Sequence, residues 1–263
     1  LHTAYRRQRQ MCIRDREWVE EIGQRVVAES PRRYLEHHFT ILDSPEPNAF
    51  ALPGGYIFVT AGLLEDLSCD DELASIIAHE AGHVANRDFQ RLLKRELTFL
   101  AIIAILKHND RADLAHLTQA IQIVNTLRHS RLREAQADAF GVATATHAGY
   151  DARALTDFLT RGSAARWSYL ETVFSTHPHP AKRIAWIQSR LEGIRADHPE
   201  QILAVAESLI TRARYRAAGE VLAGLGEGGP LPARRATMLG EVALAQGHRS
   251  AAEQQFVCCL LYT

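Results

Sequence analysis

The pentapeptide His79-Glu80-Ala81-Gly82-His83 combines two imidazoles and a carboxylate at a spacing that suits metal-assisted hydrolysis. Residues i and i+4 of an α-helix share one face, so both histidines can bind the same zinc ion. Glu80 can face the open coordination position, where it would act as general base toward a water molecule. The pentapeptide therefore predicts a zinc site with hydrolytic chemistry.

The residues around the pentapeptide predict a buried helix. Leu73, Ile76 and Ile77 supply its apolar face, and Ser68 with Asp71 resembles a capping box at its start. The alternative is a core helix that contains histidines and holds no metal. Buried imidazoles need polar partners, and a metal site provides them, which favours the zinc interpretation.

A catalytic zinc site needs a third protein ligand, and the chain offers none close to the pentapeptide. Asn86 and Phe89 stand three and six residues past His83, where a metzincin would have Gly and His, so that continuation is excluded. Thermolysin-like enzymes have a glutamate roughly 20 residues past the second histidine. Residues 99–104 occupy that region here and include no carboxylate.

Glu134 and Asp138 are the best remaining candidates, and they lie one helical turn apart. Glu134 can complete a site of two histidines and one glutamate. Asp138 can accept the far-side N–H of a ligand histidine. Arg131 and Arg133 leave an alternative open, a solvated helix face on which arginines pair with carboxylates.

Three motifs, in this order, resemble peptidase family M48 and most closely its BepA-like periplasmic members with tetratricopeptide repeats. They are the pentapeptide, the later Glu-x-x-x-Asp, and segment 175–184 with the sequence Ser-Thr-His-Pro-His-Pro-Ala-Lys-Arg-Ile. Segment 48–60 is similar to the hairpin that precedes the active helix of that family, and the likeness covers residues 35–192. The resemblance implies a zinc endopeptidase with a single Zn²⁺ per chain, bound by His79, His83 and Glu134.

The resemblance also implies roles for two residues of segment 175–184. His177 would lie near the metal, either as an additional ligand that blocks the water site or as a donor to the tetrahedral oxyanion. Arg183 would bring a positive charge toward the substrate or the transition state. Loop packing and a surface salt bridge are the alternatives for this pair.

Turn residues and short apolar runs predict three strands, at 39–42, 49–52 and 56–60, with a turn at Pro53-Gly54-Gly55. Helical spacing predicts helices at 17–36, 114–127, 130–147, from 152 onward and from 180 onward. In a zincin cleft, an edge strand binds an extended peptide through main-chain hydrogen bonds. The predicted substrate-binding residues are Asn48, which shapes the start of the strand, and Ala49, Phe50, Ala51 and Leu52.

The apolar run at 97–106 is too short to cross a bilayer, which takes about 20 residues. A buried or cleft-covering helix is the favoured interpretation. Contact with a membrane surface is the alternative.

Residues 1–16 and 259–263 resemble a translated sequencing adapter, because the two ends correspond to complementary nucleotide strings. The chain has 30 basic and 31 acidic residues, for a net charge of −1. Without residues 1–16 it loses five arginines and one aspartate, and the net charge becomes −5. The basic N-terminal arm is thus no reason to expect a nucleic-acid partner.

The chain becomes alanine-rich and helical after residue 197. Segments 216–222 and 250–256 align at a spacing of 34 residues, a period typical of tetratricopeptide repeats. A plain helical extension that packs on the preceding domain is the alternative.

We therefore expect an α+β fold with two domains. A mainly helical zincin metalloprotease domain with a small β-hairpin and edge sheet would span 17–196, and an all-α, repeat-like module would span 197–258. The resemblance implies protein or peptide substrates, envelope or outer-membrane clients bound by the repeats, a role in protein quality control and a periplasmic location. A repeat-based chaperone scaffold with a latent protease, and a structural zinc site without catalysis, are the alternatives.

Overall fold

The structure is a computed structural model that describes residues 2–91, 94, 131–165, 177, 180–225 and 231–261. Its strands are β1 (His38–Leu42), β2 (Ala49–Leu52) and β3 (Tyr56–Thr60). Its helices are α1 (His2–Ala28), α2 (Ala61–Asp66), α3 (Asp70–Ala85), α4 (Arg131–His147), α5 (Ala154–Ala165), α6 (Pro180–Asp197), α7 (Pro199–Thr211), α8 (Tyr215–Ala223), α9 (Pro232–Ala245) and α10 (Arg249–Leu261). The apolar run at 97–106 and the helix predicted at 114–127 lie outside the described residues.

The three strands form one small sheet in the order β1-β3-β2, with β1 parallel and β2 antiparallel to β3. All three predicted strands are confirmed, and β1 begins one residue early, at His38. The turn between β2 and β3 contains Gly54 and Gly55, whose φ angles of 95° and 90° lie in the left-handed region that glycine adopts without steric cost. Within the described residues, β2 is an edge strand, as predicted.

Helix α1 packs its buried Val19, Ile22 and Val26 against the rest of the core. The predicted helix at 17–36 is wrong at its C-terminal end, because α1 stops at Ala28 and turns follow. Pro31 accounts for the early end, since proline lacks a backbone N–H and disfavours the helical conformation of the residue before it.

Helix α3 is the central helix, and almost every side chain from Asp71 to Val84 is buried. The predicted capping box of Ser68 and Asp71 is wrong. Cys69 occupies the N-cap position, and Glu72 accepts a hydrogen bond of 2.8 Å from the backbone N–H of Ser68. Asp71 instead accepts a hydrogen bond of 3.0 Å from the backbone N–H of Asp151, far along the chain.

The last four helices pack as consecutive pairs, α7 with α8 and α9 with α10. Helices α8 and α10 begin at Tyr215 and Arg249, 34 residues apart, and α7 and α9 each have a proline in their first turn. Helix α7 also contacts α4 and α6, so one hydrophobic cluster continues from Val19 to Val242. The expected mainly helical α+β architecture is confirmed.

No helix in the described part of the chain combines the length and the apolar character that crossing a bilayer requires.

Candidate metal centre and active site

Two glycines allow α3 and α4 to approach each other closely. A Cβ atom on Gly82 would lie 3.0 Å from the Cα of Ala137, and one on Gly141 would lie 3.1 Å from the backbone nitrogen of His79. Side chains at these positions would force the two helices apart. The close approach sets the first turns of α4, with its carboxylates, beside the last turns of α3, with its histidines.

The predicted ligands converge on one point. The Nε2 atoms of His79 and His83 are 3.2 Å apart, and each lies 3.5 Å from an oxygen of Glu134. His177 joins them, with Nδ1 at 3.3 Å from Nε2 of His79 and 3.0 Å from Oε2 of Glu134. All four side chains are buried.

These four donor atoms fit a zinc ion. Zinc bonds nitrogen and oxygen at about 2.0–2.2 Å in a tetrahedron, which places neighbouring ligand atoms about 3.4 Å apart. The separations given above, 3.0–3.5 Å through one or the other oxygen of Glu134, are close to that spacing, and the four groups all offer donor atoms within 4.8 Å of one another. Three nitrogens with one carboxylate are donor types that zinc prefers.

Asp138 and Arg183 contact the first of the predicted ligands, His79. Oδ1 of Asp138 lies 2.9 Å from Nδ1 of His79, on the far side of the ring from Nε2. Arg183 donates two hydrogen bonds to Asp138, from Nη2 at 2.7 Å and from Nε at 2.9 Å. The guanidinium is buried and faces Glu134 as well, at 3.6 Å. Arg183 therefore lies at the site, and its closest partner is the carboxylate that holds His79.

Asp88 contacts His83 as Asp138 contacts His79, and the sequence did not predict this contact. Its Oδ2 lies 2.9 Å from Nδ1 of His83, and Arg133 approaches its other oxygen at 3.7 Å. Arg87 has a φ of 56°, and this left-handed residue turns the chain back after α3 so that Asp88 faces the helix. Each histidine of the pentapeptide thus has its own buried carboxylate.

The contacts between histidines and carboxylates determine the charge of the cluster. Burial lowers the pKa of His79, but the carboxylates of Asp138 and Glu134 outweigh burial and raise it to about 9. Burial raises the pKa of Asp138, yet His79 and Arg183 bring it down to about 2. A metal ligand must be the neutral imidazole, so binding of an ion releases the proton that His79 otherwise holds.

Glu80 lies beside the ligands without joining them. Burial would raise its pKa, but the neighbouring His177, His83 and His79 lower it, which keeps the carboxylate ionised and able to accept a proton. Oε1 of Glu80 lies 3.5 Å from Nε2 of His177. His177 therefore contacts the donor set through one ring nitrogen and the general-base candidate through the other.

The predicted substrate strand runs past this cluster. Ala49, the first residue of β2, lines a cavity that Glu80 and His177 also line. Asn48 precedes the strand, and its backbone N–H donates to Oγ1 of Thr60 at 2.8 Å. Its side-chain Oδ1 is shielded from solvent and has no hydrogen-bond partner among the described residues.

Comparison with known proteins gives the same family for most of the chain. The sequence model of peptidase family M48 matches residues 14–191. A putative beta-barrel assembly-enhancing protease of Vibrio cholerae is 31% identical over 181 residues, which are 64% of this chain and 37% of that protein. The mitochondrial metalloendopeptidase OMA1 of Schizosaccharomyces pombe is 30% identical over 178 residues, 66% of this chain and 52% of the relative.

The beta-barrel assembly-enhancing protease of Escherichia coli is also similar, with 26% identity over 191 residues, 68% of this chain and 39% of that protein. The chain thus spans between 37% and 52% of the length of these curated relatives.

Proposed function

This chain belongs to peptidase family M48 and is a zinc metallopeptidase, and we propose that it cleaves internal peptide bonds of protein clients. The observation that carries the proposal is the buried set of donor atoms on His79, His83 and Glu134 with Glu80 beside it. One zinc ion per chain would be held by these three ligands. When bound, zinc supplies Lewis-acid polarisation of a carbonyl and lowers the pKa of a water molecule.

Glu80 is the group that moves the proton. As the oxygen of the attacking water forms its bond to the peptide carbon, Glu80 accepts the proton of the O–H bond that breaks. It then delivers this proton to the amide nitrogen as the C–N bond breaks, so that the amine leaves neutral.

Asp138 and Asp88 hold the imidazoles in the required tautomer. Each accepts a hydrogen bond from Nδ1–H, at 2.9 Å in both cases, which leaves the lone pair on Nε2 free for the metal. Arg183 keeps Asp138 ionised and fixed in place.

The substrate would bind as an additional strand on β2. This edge strand presents Ala49, Phe50, Ala51 and Leu52, whose outward backbone groups can pair with an extended peptide. Main-chain pairing of this kind tolerates many side chains, as a quality-control protease requires.

The test of the proposal is Glu80→Gln. The amide keeps the size of the side chain and cannot accept the proton, so we expect casein hydrolysis to fall by at least about 100-fold. Zinc content and melting temperature should stay at wild-type values, since Glu80 is not a ligand. Glu65→Gln, the same change on an exposed glutamate of α2, is the matched control. Undiminished hydrolysis by Glu80→Gln would refute the mechanism.

His177 supports a second candidate function, a client-binding scaffold whose protease is latent. Its Nδ1 lies where a fourth ligand would, and its Nε2 lies 3.5 Å from Glu80. In this position the imidazole ring would exclude a water molecule from both the metal and Glu80. Hydrolysis would then require His177 to move away.

His177→Ala separates the two roles that the sequence leaves open. If His177 is a blocking ligand, the variant should hydrolyse casein about tenfold faster or more, because the fourth position is freed. If it is an oxyanion donor, hydrolysis should fall by about 100-fold to 1,000-fold. Client handling in cells that survives Glu80→Gln would favour the scaffold function over the protease.

We extend the proposal to envelope protein quality control in an extracytoplasmic compartment, with outer-membrane β-barrel proteins as clients. The support is the name shared by two relatives, beta-barrel assembly-enhancing protease, and the repeat-like helices α7 to α10 with their 34-residue spacing. A pull-down with Glu80→Gln should retain an unfolded outer-membrane β-barrel protein in preference to an unfolded soluble protein of the same size. Equal retention of both would remove this part of the proposal.

A further inference from the structure

A cavity opens directly beside the general-base candidate. It is open to solvent, and its empty space together with the solvent at its mouth amounts to roughly 370 Å³. Its polar wall is formed by His79, Glu80, His177 and Arg183. The other lining residues are all apolar: Ala49, Leu63, Ile76, Leu155, Phe158 and Leu159.

The apolar wall is built by the same elements that position the catalytic groups. Ile76 precedes Glu80 by one helical turn and therefore lies on the same face of α3. Leu155, Phe158 and Leu159 are spaced i, i+3 and i+4, so they form one face of α5. These four side chains are all buried, which fixes the walls by packing.

The cavity is also continuous with the predicted substrate strand. Ala49 begins β2 and is buried, and its single methyl group leaves room that a larger side chain would fill. A peptide paired to β2 would turn alternate side chains toward this side of the sheet. One of those side chains can enter the cavity while the neighbouring carbonyl lies near Glu80.

We propose that this cavity is a specificity pocket for an apolar side chain on one of the two substrate residues that flank the cleaved bond. The inference rests on the proposed endopeptidase function. Burial of an apolar side chain against these walls is favourable, whereas a charged side chain would lose its hydration without gaining a partner along the apolar wall. Leu159 and Ala49 are the residues that set the size limit.

The test uses quenched fluorescent peptides built around one cleavage site mapped in casein. The two residues that flank the bond are varied, one at a time, among Gly, Ala, Leu, Phe and Asp. The peptides are measured in whichever of the wild type and His177→Ala hydrolyses casein faster. At one of the two positions we expect kcat/KM for Leu to exceed that for Gly by about tenfold or more, with Asp lowest.

Two variants then move the preference in opposite directions. Leu159→Ala enlarges the pocket and should raise the ratio of Phe to Ala at that position severalfold. Ala49→Leu fills it and should lower the same ratio. Because the ratio is taken within one preparation, loss of folded or zinc-loaded protein does not change it. Leu222→Ala, a buried leucine of α8 outside the lining, should leave the ratio at the parental value.

The outcomes separate this inference from the proposed function. Cleavage with a flat profile, or a ratio that neither Leu159→Ala nor Ala49→Leu moves, overturns the pocket and leaves the endopeptidase standing. Failure of folded, zinc-loaded protein to cleave any peptide overturns both.

Discussion

The two ends of α3 both bury carboxylates against cationic groups, yet they do so with different partners. At the C-terminal end, His79 and His83 face Asp138 and Asp88 at 2.9 Å. At the N-terminal end, the partners are arginines from distant parts of the chain. Imidazole can give up its proton and bind a metal, whereas guanidinium keeps its charge and has no lone pair to offer.

The N-terminal end is held by two separate ion pairs. Glu72 pairs with Arg161 of α5 through both oxygens, at 2.5 and 2.8 Å. Asp71 contacts Arg214 and, at 3.3 Å, Arg212, which follow helix α7. Arg212 also donates to the carbonyl of Gly149 at 2.8 Å. This end of α3 is therefore fixed to the helices around it, while the other end presents the proposed metal ligands.

Burial of a charge is therefore not by itself a mark of catalysis. Both ends have buried carboxylates, and of the two it is the end whose partners can change protonation state that brings together donor atoms suited to a metal.

Removal of zinc should abolish hydrolysis and leave the ion pairs at the N-terminal end of α3 intact. With 1,10-phenanthroline we expect casein hydrolysis to fall to background, because the ion that polarises the carbonyl is gone. Helix content measured by circular dichroism should remain near its starting value, since the ion pairs of Asp71 and Glu72 do not involve the metal. Readdition of Zn²⁺ should restore hydrolysis. Unfolding on chelation would instead indicate a structural zinc site.

Asp88→Ala should weaken zinc binding at the C-terminal end of α3 without abolishing it. Loss of the acceptor frees the tautomer and orientation of His83, so we expect zinc affinity or activity to fall by about 10-fold to 100-fold. Competition with a fluorescent zinc chelator measures the affinity directly. Asp88→Asn keeps an oxygen near Nδ1 and should recover part of the loss.

A control for Asp88→Ala is available on the surface. Asp43→Ala removes an exposed carboxylate after β1 and should bind zinc as the wild type does. If Asp88→Ala also binds zinc with wild-type affinity, the contact with His83 has no part in holding the ion.

The ligands on α3 follow from the sequence because a four-residue spacing within one helix fixes their geometry. Glu134 and Asp138 were the candidates that the sequence offered, and the pentapeptide favoured a ligand role for Glu134 over a solvated helix face. Asp88 was missed for a physical reason. Five residues past His83 on a continuous helix, it would point about 140° away from that histidine. Only the left-handed turn at Arg87 brings it back, and that turn is a tertiary detail.

The fold was predictable to a similar degree. Strands bounded by turn residues and the long helices emerged from periodicity alone, and Pro31 was an available signal for the end of α1. The partners of Asp71 were not predictable, since Arg212 and Arg214 lie 141 and 143 residues away in sequence. Contacts at such a distance depend on packing that no local pattern encodes. For the same reason, the capping box predicted for Asp71 gave way to long-range pairing.

Asp71→Asn should lower stability while leaving the chemistry intact. Loss of the charge leaves two arginines without their shared carboxylate, and both are partly exposed, which softens the penalty for an unpaired charge. We expect the free energy of unfolding to fall by about 2 kcal/mol in urea titrations. The kcat of the zinc-loaded, folded fraction should not change. A fall in kcat at constant zinc content would mean that the N-terminal end also positions the ligands.

Arg161→Lys should have the smallest effect, because it keeps a cation beside the buried carboxylate of Glu72. Arg161 donates to both oxygens of Glu72, and lysine would lose this two-point geometry. The side chain of Arg161 is 44% exposed, and Glu72 would retain its hydrogen bond from the backbone of Ser68, so we expect a loss of only about 1 kcal/mol in the same titrations. The double variant Asp71→Asn with Arg161→Lys should show additive losses if the two pairs anchor α3 independently. A combined loss of unfolding free energy well below the sum of the single losses would instead show that the two ion pairs stabilise the N-terminal end of α3 cooperatively.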